Sequence, residues 1–497
     1  MNSKMIIPIL LGMVMAHIAV RWVYFKILKI AFDKNLVDNP NARKLQKQPV
    51  PVVGGLAVFL GLLSGILAAA SYHYTFDPET ESTGLLPIIC AMSLMIYTGA
   101  LDDILGLTPK ARIAIEVAAI IALIYSSGMC IDTFSGLWGI ELISWWVAVP
   151  LTVFAGVGII NAINMVDGVN GLSSGLCMTC CCIFGIAFFI IGDVANAVLA
   201  FTMVASLSPF FLRNVFGLKS RMFIGDAGTM VMGILMTWFV MCMLSSNNSI
   251  NLFCKTHNLN IIALSIAILS VPIFDTLRVM TMRIAKGVSP FRPDKTHLHH
   301  VFVNVGISHF ITAVSEILIG LTTTIICCIS IRVGASLEVQ LYVAVLSSMW
   351  FVWGTYAILR YHAKRHTYFL HWLTHFSEKT HLGRTKWWKS FTKWLDGPID
   401  YATSSADNSA AKSAVAREKF NSHMQSIDVN ISKENDRKLI LDYMKGKAEV
   451  HICDLIAYSG VDQLRVYAVI YEEIQSGYVK VILSDRKGNP QIVAIEE

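Results

Sequence analysis

Four clusters of acidic, amide, guanidinium and imidazole side chains interrupt an otherwise apolar sequence, and their types suit phosphate chemistry. The first is the Asp102-Asp103 pair in Leu101-Asp102-Asp103-Ile104-Leu105-Gly106. Adjacent carboxylates repel, so a metal ion or a basic neighbour must compensate them, and Lys110 and Arg112 follow closely. A solvated helix end is the plain alternative. The second cluster is Asn161-Ala162-Ile163-Asn164-Met165-Val166-Asp167-Gly168-Val169-Asn170-Gly171-Leu172. Asn161, Asn164 and Asp167 recur every three residues and share one face if a helix continues through them, while Gly168 and Gly171 allow a ligand close to the backbone. Amides that help helices pack would read the same way.

The third cluster, Arg221-Met222-Phe223-Ile224-Gly225-Asp226-Ala227-Gly228, sets a carboxylate between glycines just before an apolar run. Such a group can direct oxygens at a divalent cation, and plain N-capping by Asp226 accounts for the same spacing. The fourth, Arg292-Pro293-Asp294-Lys295-Thr296-His297-Leu298-His299-His300, offers guanidinium and imidazole donors for phosphate oxygens, with a His-bound transition metal as the alternative. Carboxylates and amides for Mg²⁺ and a nucleotide, with Arg, Lys and His for phosphates, are the equipment of phosphoryl transfer. No Gly-x4-Gly-Lys-Ser/Thr loop is present, which argues against an ATP-driven pump.

The elements that must position these groups are membrane helices. Of 497 residues, 55% are hydrophobic and 15% charged, so the bilayer is the expected solvent. Apolar stretches long enough to cross it fall at 5–31, 52–71, 85–101, 113–129, 143–163, 172–191, 194–213, 228–245, 261–282, 309–331 and 337–359, about eleven spans. The first is too long for a signal-peptide core, contains Arg21 and has no small-residue cleavage site after it, so it is expected to be retained. Lys34, Arg43, Lys44, Lys47, Lys110, Arg112, Lys219, Arg221, Lys286, Arg292 and Lys295 all fall on one side of the alternating spans, whereas loops 73–83 and 131–141 contain no Lys or Arg. Cations are retained on the cytosolic side during insertion, which places the amino terminus outside and the four clusters and the carboxyl tail in the cytosol. Most of the eleven cysteines lie in apolar spans. Cys177, Cys180, Cys181 and Cys182 lack a His or second Cys pair at ligand spacing, so buried free thiols are expected.

Beyond the spans, 360–400 mixes Lys, Arg and His with Trp372, Trp387, Trp388 and Trp394, which suits an interfacial helix on anionic lipid, or else a solvated helix with packed aromatics. The stretch 401–432 is rich in Ser, Ala and Asn without an apolar period and reads as a linker. In 433–497, three helical patterns followed by two alternating runs resemble a winged helix. Acidic residues slightly outnumber basic ones there, so no nucleic-acid partner is expected; protein interaction or homodimerisation is the reading. The expected fold is an all-α polytopic membrane protein, residues 1–359, with a small cytosolic α+β domain at its carboxyl end.

Over roughly 1–359, in order, the four clusters resemble the polyprenyl-phosphate N-acetylhexosamine-1-phosphate transferases of glycosyltransferase family 4, which include the phospho-MurNAc-pentapeptide translocases. The His297-Leu298-His299-His300 run, together with Asp38-Asn39-Pro40-Asn41-Ala42-Arg43-Lys44 followed by Pro51-Val52-Val53-Gly54-Gly55, looks most like the bacterial branch that starts glycans with GlcNAc-1-phosphate. The resemblance implies undecaprenyl phosphate as acceptor, a UDP-N-acetylhexosamine as donor, Mg²⁺ or Mn²⁺ as cofactor, UMP as product and the bacterial inner membrane as location. It casts Asp226 as metal ligand, with Asp103 and Asp167 beside it, one of Asp102 and Asp103 as base toward the lipid phosphate, and His297 as a further catalytic group. Asn161, Asn164, Asp167 and Asn170 would meet nucleotide or metal. Lys44, Lys110, Arg112, Arg292, His299 and His300 would hold phosphates or sugar. Many bacterial members carry Asp where this chain has Asn170, and eukaryotic relatives carry Asn; an amide contact to uracil suits the residue present. Competing readings are a translocase-like activity, a secondary transporter, whose polar groups should reach the midplane and both leaflets, and a membrane anchor for a working tail.

Overall fold

The computed structural model describes residues 3–34, 36–38, 49–76, 82–246, 253–254, 256–290, 296–365, 373–374, 386–397, 430–445, 447, 449–459, 463–476, 478–484 and 490–495. Arg43, Lys44, Arg292, Trp372 and most of the expected linker lie outside them. The chain divides into two compact units, Met1–Ala402 and Thr403–Glu497.

The first unit is helical: α1 (Ser3–Asp33), α2 (Gly54–Phe76), α3 (Leu86–Leu105), α4 (Pro109–Ser127), α5 (Trp145–Met165), α6 (Leu172–Ile191), α7 (Val194–Phe216), α8 (Gly225–Met243), α9 (Ile261–Ile268), α10 (Ser270–Ala285), α11 (Leu298–Asn304), α12 (His309–Arg332), α13 (Leu337–Arg365) and α14 (Lys386–Asp396). A two-residue pairing, β1 (Val37–Asp38) with β2 (Val50–Pro51), precedes α2. Among the described residues, nine helices are long and apolar enough to cross a membrane, and α9 with α10 makes a tenth as a pair bent by 76°. That count falls below the eleven expected. The expected span 113–129 forms as α4, but Lys110, Arg112 and Glu116 make it too charged to count by composition. The bend follows from Pro272, whose ring cannot sit against the carbonyl of Ile268 one turn earlier, so the helix breaks at Leu269.

Helix ends use ordinary local chemistry. Thr108 accepts from Ala111 N at the start of α4 with Pro109 in the first turn, and Gly106 and Gly128 close α3 and α4 in left-handed conformations. At the centre stands α8, buried from Ala227 to Met243. Hydrocarbon tails are as apolar as the side chains, so close packing must hold such a helix. Small residues permit it: a Cβ on Gly99 would strike the backbone of Ala227, and one on Gly55 the backbone of Gly228. The buried Trp238 indole donates to Asn196 Oδ1 at 2.7 Å, so its N–H is satisfied. Among the described residues ten cysteines are free thiols, and Cys177 and Cys181 lie one turn apart with sulfurs 4.0 Å from each other.

The second unit comprises α15 (Asn430–Met444), β3 (Val450–His451), α16 (Ile452–Ser459), α17 (Gln463–Gln475), β4 (Val479–Ser484) and β5 (Pro490–Ile495). Its sheet is antiparallel in the order β3-β5-β4. Ile440, Leu455, Val466, Ile470 and Val493 are buried in its core, and Arg437 Nε pairs with Glu473 at 2.6 Å between α15 and α17.

Candidate active site

The clusters meet at the end of the helical unit where α3, α5 and α7 finish and α4, α6 and α8 begin. Asp226 lies in the first turn of α8, which starts at Gly225, three residues earlier than the apolar run suggests. It does not cap that helix. Asp103, from α3, does: Oδ1 accepts from Asp226 N at 2.9 Å and Oδ2 from Ala227 N at 3.1 Å. Those amides are among the orphan donors of a helix start, and an anion there also meets the positive end of the dipole. Gly225 has φ +71°, and a Cβ on it would lie 2.5 Å from both Asp103 Oδ2 and Val52 O, so no other residue suits the approach.

Asp226 is thereby left for other work, with its side chain 34% exposed. Asn164 Nδ2 donates to Asp226 Oδ1 and also to Thr229 Oγ1 at 2.7 Å. Arg112 Nη1 lies 3.7 Å from Asp226 Oδ1 and 3.3 Å from Asp102 Oδ2, bridging the two acids. Asp102 Oδ1 also accepts from Leu107 N at 2.8 Å, which fixes the turn into α4. Arg112 is aimed from behind by Glu116, wholly buried one turn along α4: Arg112 Nε donates to Oε1 at 3.1 Å, while Asn161 Nδ2 donates to Oε2 at 2.6 Å. The remaining guanidinium nitrogen, Nη2, is buried without a partner among the described residues. It is a donor awaiting an acceptor. Lys110 is exposed.

Asp167 does not continue the helical face of Asn161 and Asn164. α5 ends at Met165, and Asp167 sits in the turn that follows, with Asn170 partly exposed further along. Ser173 Oγ donates to Asp167 Oδ1 at 2.5 Å. Asp167 is exposed to solvent, yet desolvation by the protein packed around it pushes its pKa up to about 6, with the Ser173 hydrogen bond opposing the rise and the Asp226 charge adding to it. The turn is anchored by Asn214 of α7, whose Oδ1 accepts from Gly171 N at 2.6 Å while Nδ2 donates to Met222 O at 2.7 Å. One buried amide thus ties the second cluster to the third.

The fourth cluster joins through His299, which packs against Gly168 so closely that a Cβ there would collide with the imidazole. His299 is buried, its Nδ1 has no partner among the described residues, and burial first, then His300, holds its pKa down to about 3, so the ring is neutral. The rings of His297 and His299 stack at 5.8 Å, and His300 lies 4.4 Å from His299. Asp275 of α10 sets this arrangement: it accepts from His297 Nδ1 at 2.8 Å, from Leu298 N at 3.1 Å and from Arg278 Nη2 at 2.7 Å. Arg278 in turn donates to Thr296 O at 2.6 Å.

Sequence patterning missed Glu116, Thr229, Asn214, Asp275 and Arg278. Glu116 and Asp275 carried a readable signal, since each is a carboxylate inside an apolar helix with an Arg one turn away. Among the described residues, no three His, Cys, Asp or Glu groups gather as a ready metal cage.

A helical membrane unit whose helix ends pool carboxylates, amides and a half-free guanidinium is equipped to handle phosphates, and its sequence assigns the class: the chain belongs to glycosyl transferase family 4, whose pattern matches residues 85–244. Individual relatives narrow this. A Yersinia pestis protein named "Undecaprenyl-phosphate alpha-N-acetylglucosaminyl 1-phosphate transferase" is 31% identical over 281 residues, 56% of this chain and 72% of the relative. The protein of that name from Escherichia coli (strain K12) is 30% identical over 285 residues, again 56% and 72%. A Bacillus subtilis (strain 168) protein named "Probable undecaprenyl-phosphate N-acetylglucosaminyl 1-phosphate transferase" is 32% identical over 321 residues, covering 64% of this chain and 84% of its own.

Proposed function

We propose that this protein transfers GlcNAc-1-phosphate from UDP-GlcNAc to undecaprenyl phosphate, releasing UMP and starting a lipid-linked glycan. The observation that carries this reading is the release of Asp226 from helix capping by Asp103, with Asn164 and Arg112 converging on the freed carboxylate. The names of the relatives supply the substrates.

The donor set fits Mg²⁺, which binds through one or two carboxylates and completes its shell with water and substrate phosphates. Asp226 would hold it, with Asp167 and Asp103 as further candidates, and the ion would neutralise charge on the pyrophosphate. Arg112 Nη2 donates to a phosphate oxygen, and Glu116 keeps the guanidinium aimed. The reaction joins an oxygen of the lipid phosphate to the sugar-bearing phosphorus as the bond from that phosphorus to the bridging oxygen breaks. UMP leaves with that oxygen, and one pyrophosphate replaces another. Both oxygens of Asp103 accept backbone amides, whereas Asp102 accepts one, from Leu107 at 2.8 Å through Oδ1, and among the described residues its Oδ2 meets only Arg112 at 3.3 Å, so the base role falls to Oδ2 of Asp102. His297, His299 and His300 serve the phosphates or sugar from the segment Asp275 anchors, Lys44, Lys110 and Arg292 are further phosphate or sugar ligands by charge, and Asn161, Asn164 and Asn170 serve nucleotide and site geometry.

Orientation follows the charge: the site and tail face the cytosol of a bacterial inner membrane. α4 and the bent pair complete eleven spans. The tail, with its helix, strand, two helices and two strands, is a winged helix used for protein contact or pairing of two protomers. Purified protein with Mg²⁺, undecaprenyl phosphate and UDP-GlcNAc should release UMP and form a lipid-linked pyrophosphate sugar. Folded protein that releases none from any UDP-N-acetylhexosamine would refute the reading.

A further inference from the structure

Asp226 reaches the site at the end of an eight-residue connection, 217–224, between α7 and α8. The second half of that connection is held by neighbours of the site: Met222 O accepts from Asn214, and Phe223 O and Ile224 O accept from Gly54 N at 3.0 Å and Gly55 N at 2.8 Å. The first half is held by Asp396, the last residue of α14 and far away in sequence. Its Oδ1 accepts from Leu218 N at 3.0 Å, Lys219 N at 3.1 Å, Ser220 N at 3.1 Å and Ser220 Oγ at 2.8 Å. Successive amides turned toward one anion form a nest.

Its own helix does not explain a carboxylate there, although Arg213 and Arg221 lie near enough to feel its charge. An acidic residue at a helix C-terminus faces the negative end of its own dipole, so Asp396 sits where its helix disfavours it. It is nonetheless buried, and Tyr24 of α1 reinforces the same turn by donating to Ser220 O at 2.7 Å. α14 is seated to deliver it: Trp388 and Phe391 pack on Phe216, the last residue of α7, at 5.2 and 6.3 Å, and Arg21 lies over the Trp394 ring at 5.4 Å. Trp387, Lys389 and Lys393 stay exposed along the outer side.

We propose that Asp396 is a positioning residue for the transferase site: by gathering the amides of Leu218, Lys219 and Ser220 it fixes the connection from which α8 presents Asp226. The inference rests on the transferase reading above. Asp396 touches no reacting group; it acts through the loop.

The test compares wild type, Asp396→Ala and Asp396→Asn in the full chain reconstituted in bilayers. Asp396→Ala should lower kcat by on the order of 10- to 100-fold while KM for UDP-GlcNAc stays within about threefold, as expected for a misplaced rather than missing group. The Mg²⁺ concentration giving half-maximal UMP release should rise. Without nucleotide or metal, the amides of 218–220 should exchange hydrogen faster than in wild type, and Asp396→Asn, which keeps an acceptor oxygen, should restore most of both kcat and protection. An Ala variant with wild-type kcat per folded molecule, or unchanged exchange at 218–220, overturns the proposal. A wild type that releases no UMP overturns the transferase reading instead, and the exchange measurement still reports whether Asp396 holds the loop.

Discussion

Asp193 and Asp226 stand at the starts of consecutive helices, α7 and α8, yet they behave oppositely. Asp193 is a self-contained cap: Oδ1 accepts from Asn196 N at 3.0 Å and Oδ2 from Asn196 Nδ2 at 2.8 Å, all within one turn. Asp226 makes no such bond, because Asp103 from another helix has taken the amides at the start of α8. Its contacts come instead from Asn164 on α5 and Arg112 on α4. A carboxylate at a helix start is informative when something else does the capping.

The contrast is broken most directly at Asp226. Asp226→Ala should reduce kcat by on the order of 10²- to 10³-fold or more with little change in melting temperature, and Asp102→Asn should be similarly severe. UMP release beside thermal unfolding checks both, and a large loss of stability with either would make these residues structural. Asp103→Ala should do double damage, costing about 1–2 kcal/mol of stability as a lost cap and displacing Asp226 as well. A variant impaired in only one respect would separate the two roles assigned to that residue.

Asp167 sharpens the contrast through pH. Its folded pKa of about 6 lies above the ordinary 3.8, so the folded protein binds this proton more tightly than the unfolded chain. Stability from this group is therefore present at low pH and lost as pH rises toward and through about 6, whereas activity that needs the carboxylate grows over the same interval. Asp167→Asn should remove that pH dependence of unfolding and lower kcat at pH 7.5; an unfolding profile identical to wild type would contradict the assignment. The smallest effects belong to the other end of the bundle. Asp193→Asn should leave kcat unchanged, since Asn caps as well as Asp, and Asp193→Ala should cost about 1 kcal/mol of stability with kcat intact. Loss of turnover there would erase the difference between the two aspartates.

Much of this architecture was legible in the residues. Nearly every expected span forms as a helix, and the four clusters could be picked out because charged and amide groups are costly in an apolar chain. Pro272 foretold the break in α9–α10 without being read that way. The shared face of Asn161, Asn164 and Asp167 was conditional on a continuing helix, and that condition is not met because the helix stops at Met165; periodicity alone does not reveal where a helix gives way to a glycine-rich turn. What stayed hidden were partnerships across the fold, Asp103 with α8, Asn214 with Gly171, Asp275 with His297 and Asp396 with Ser220, since local patterns reach only about one helical turn. In the tail, β3 is two residues long, too short to show alternation.

The bond between Asp103 and the start of α8 spans 123 positions of chain, and it has a bearing on biosynthesis. Helices enter the membrane in the order the ribosome releases them, so Asp102 can meet Leu107 N and Arg112 once α4 follows, while Asp103 waits as α4 to α7 are threaded. Only when Gly225 emerges and slips beside Val52 does that second charge find its amides. A chain stopped short of that glycine leaves the Asp103 carboxylate without the two amides that hold it in the finished fold.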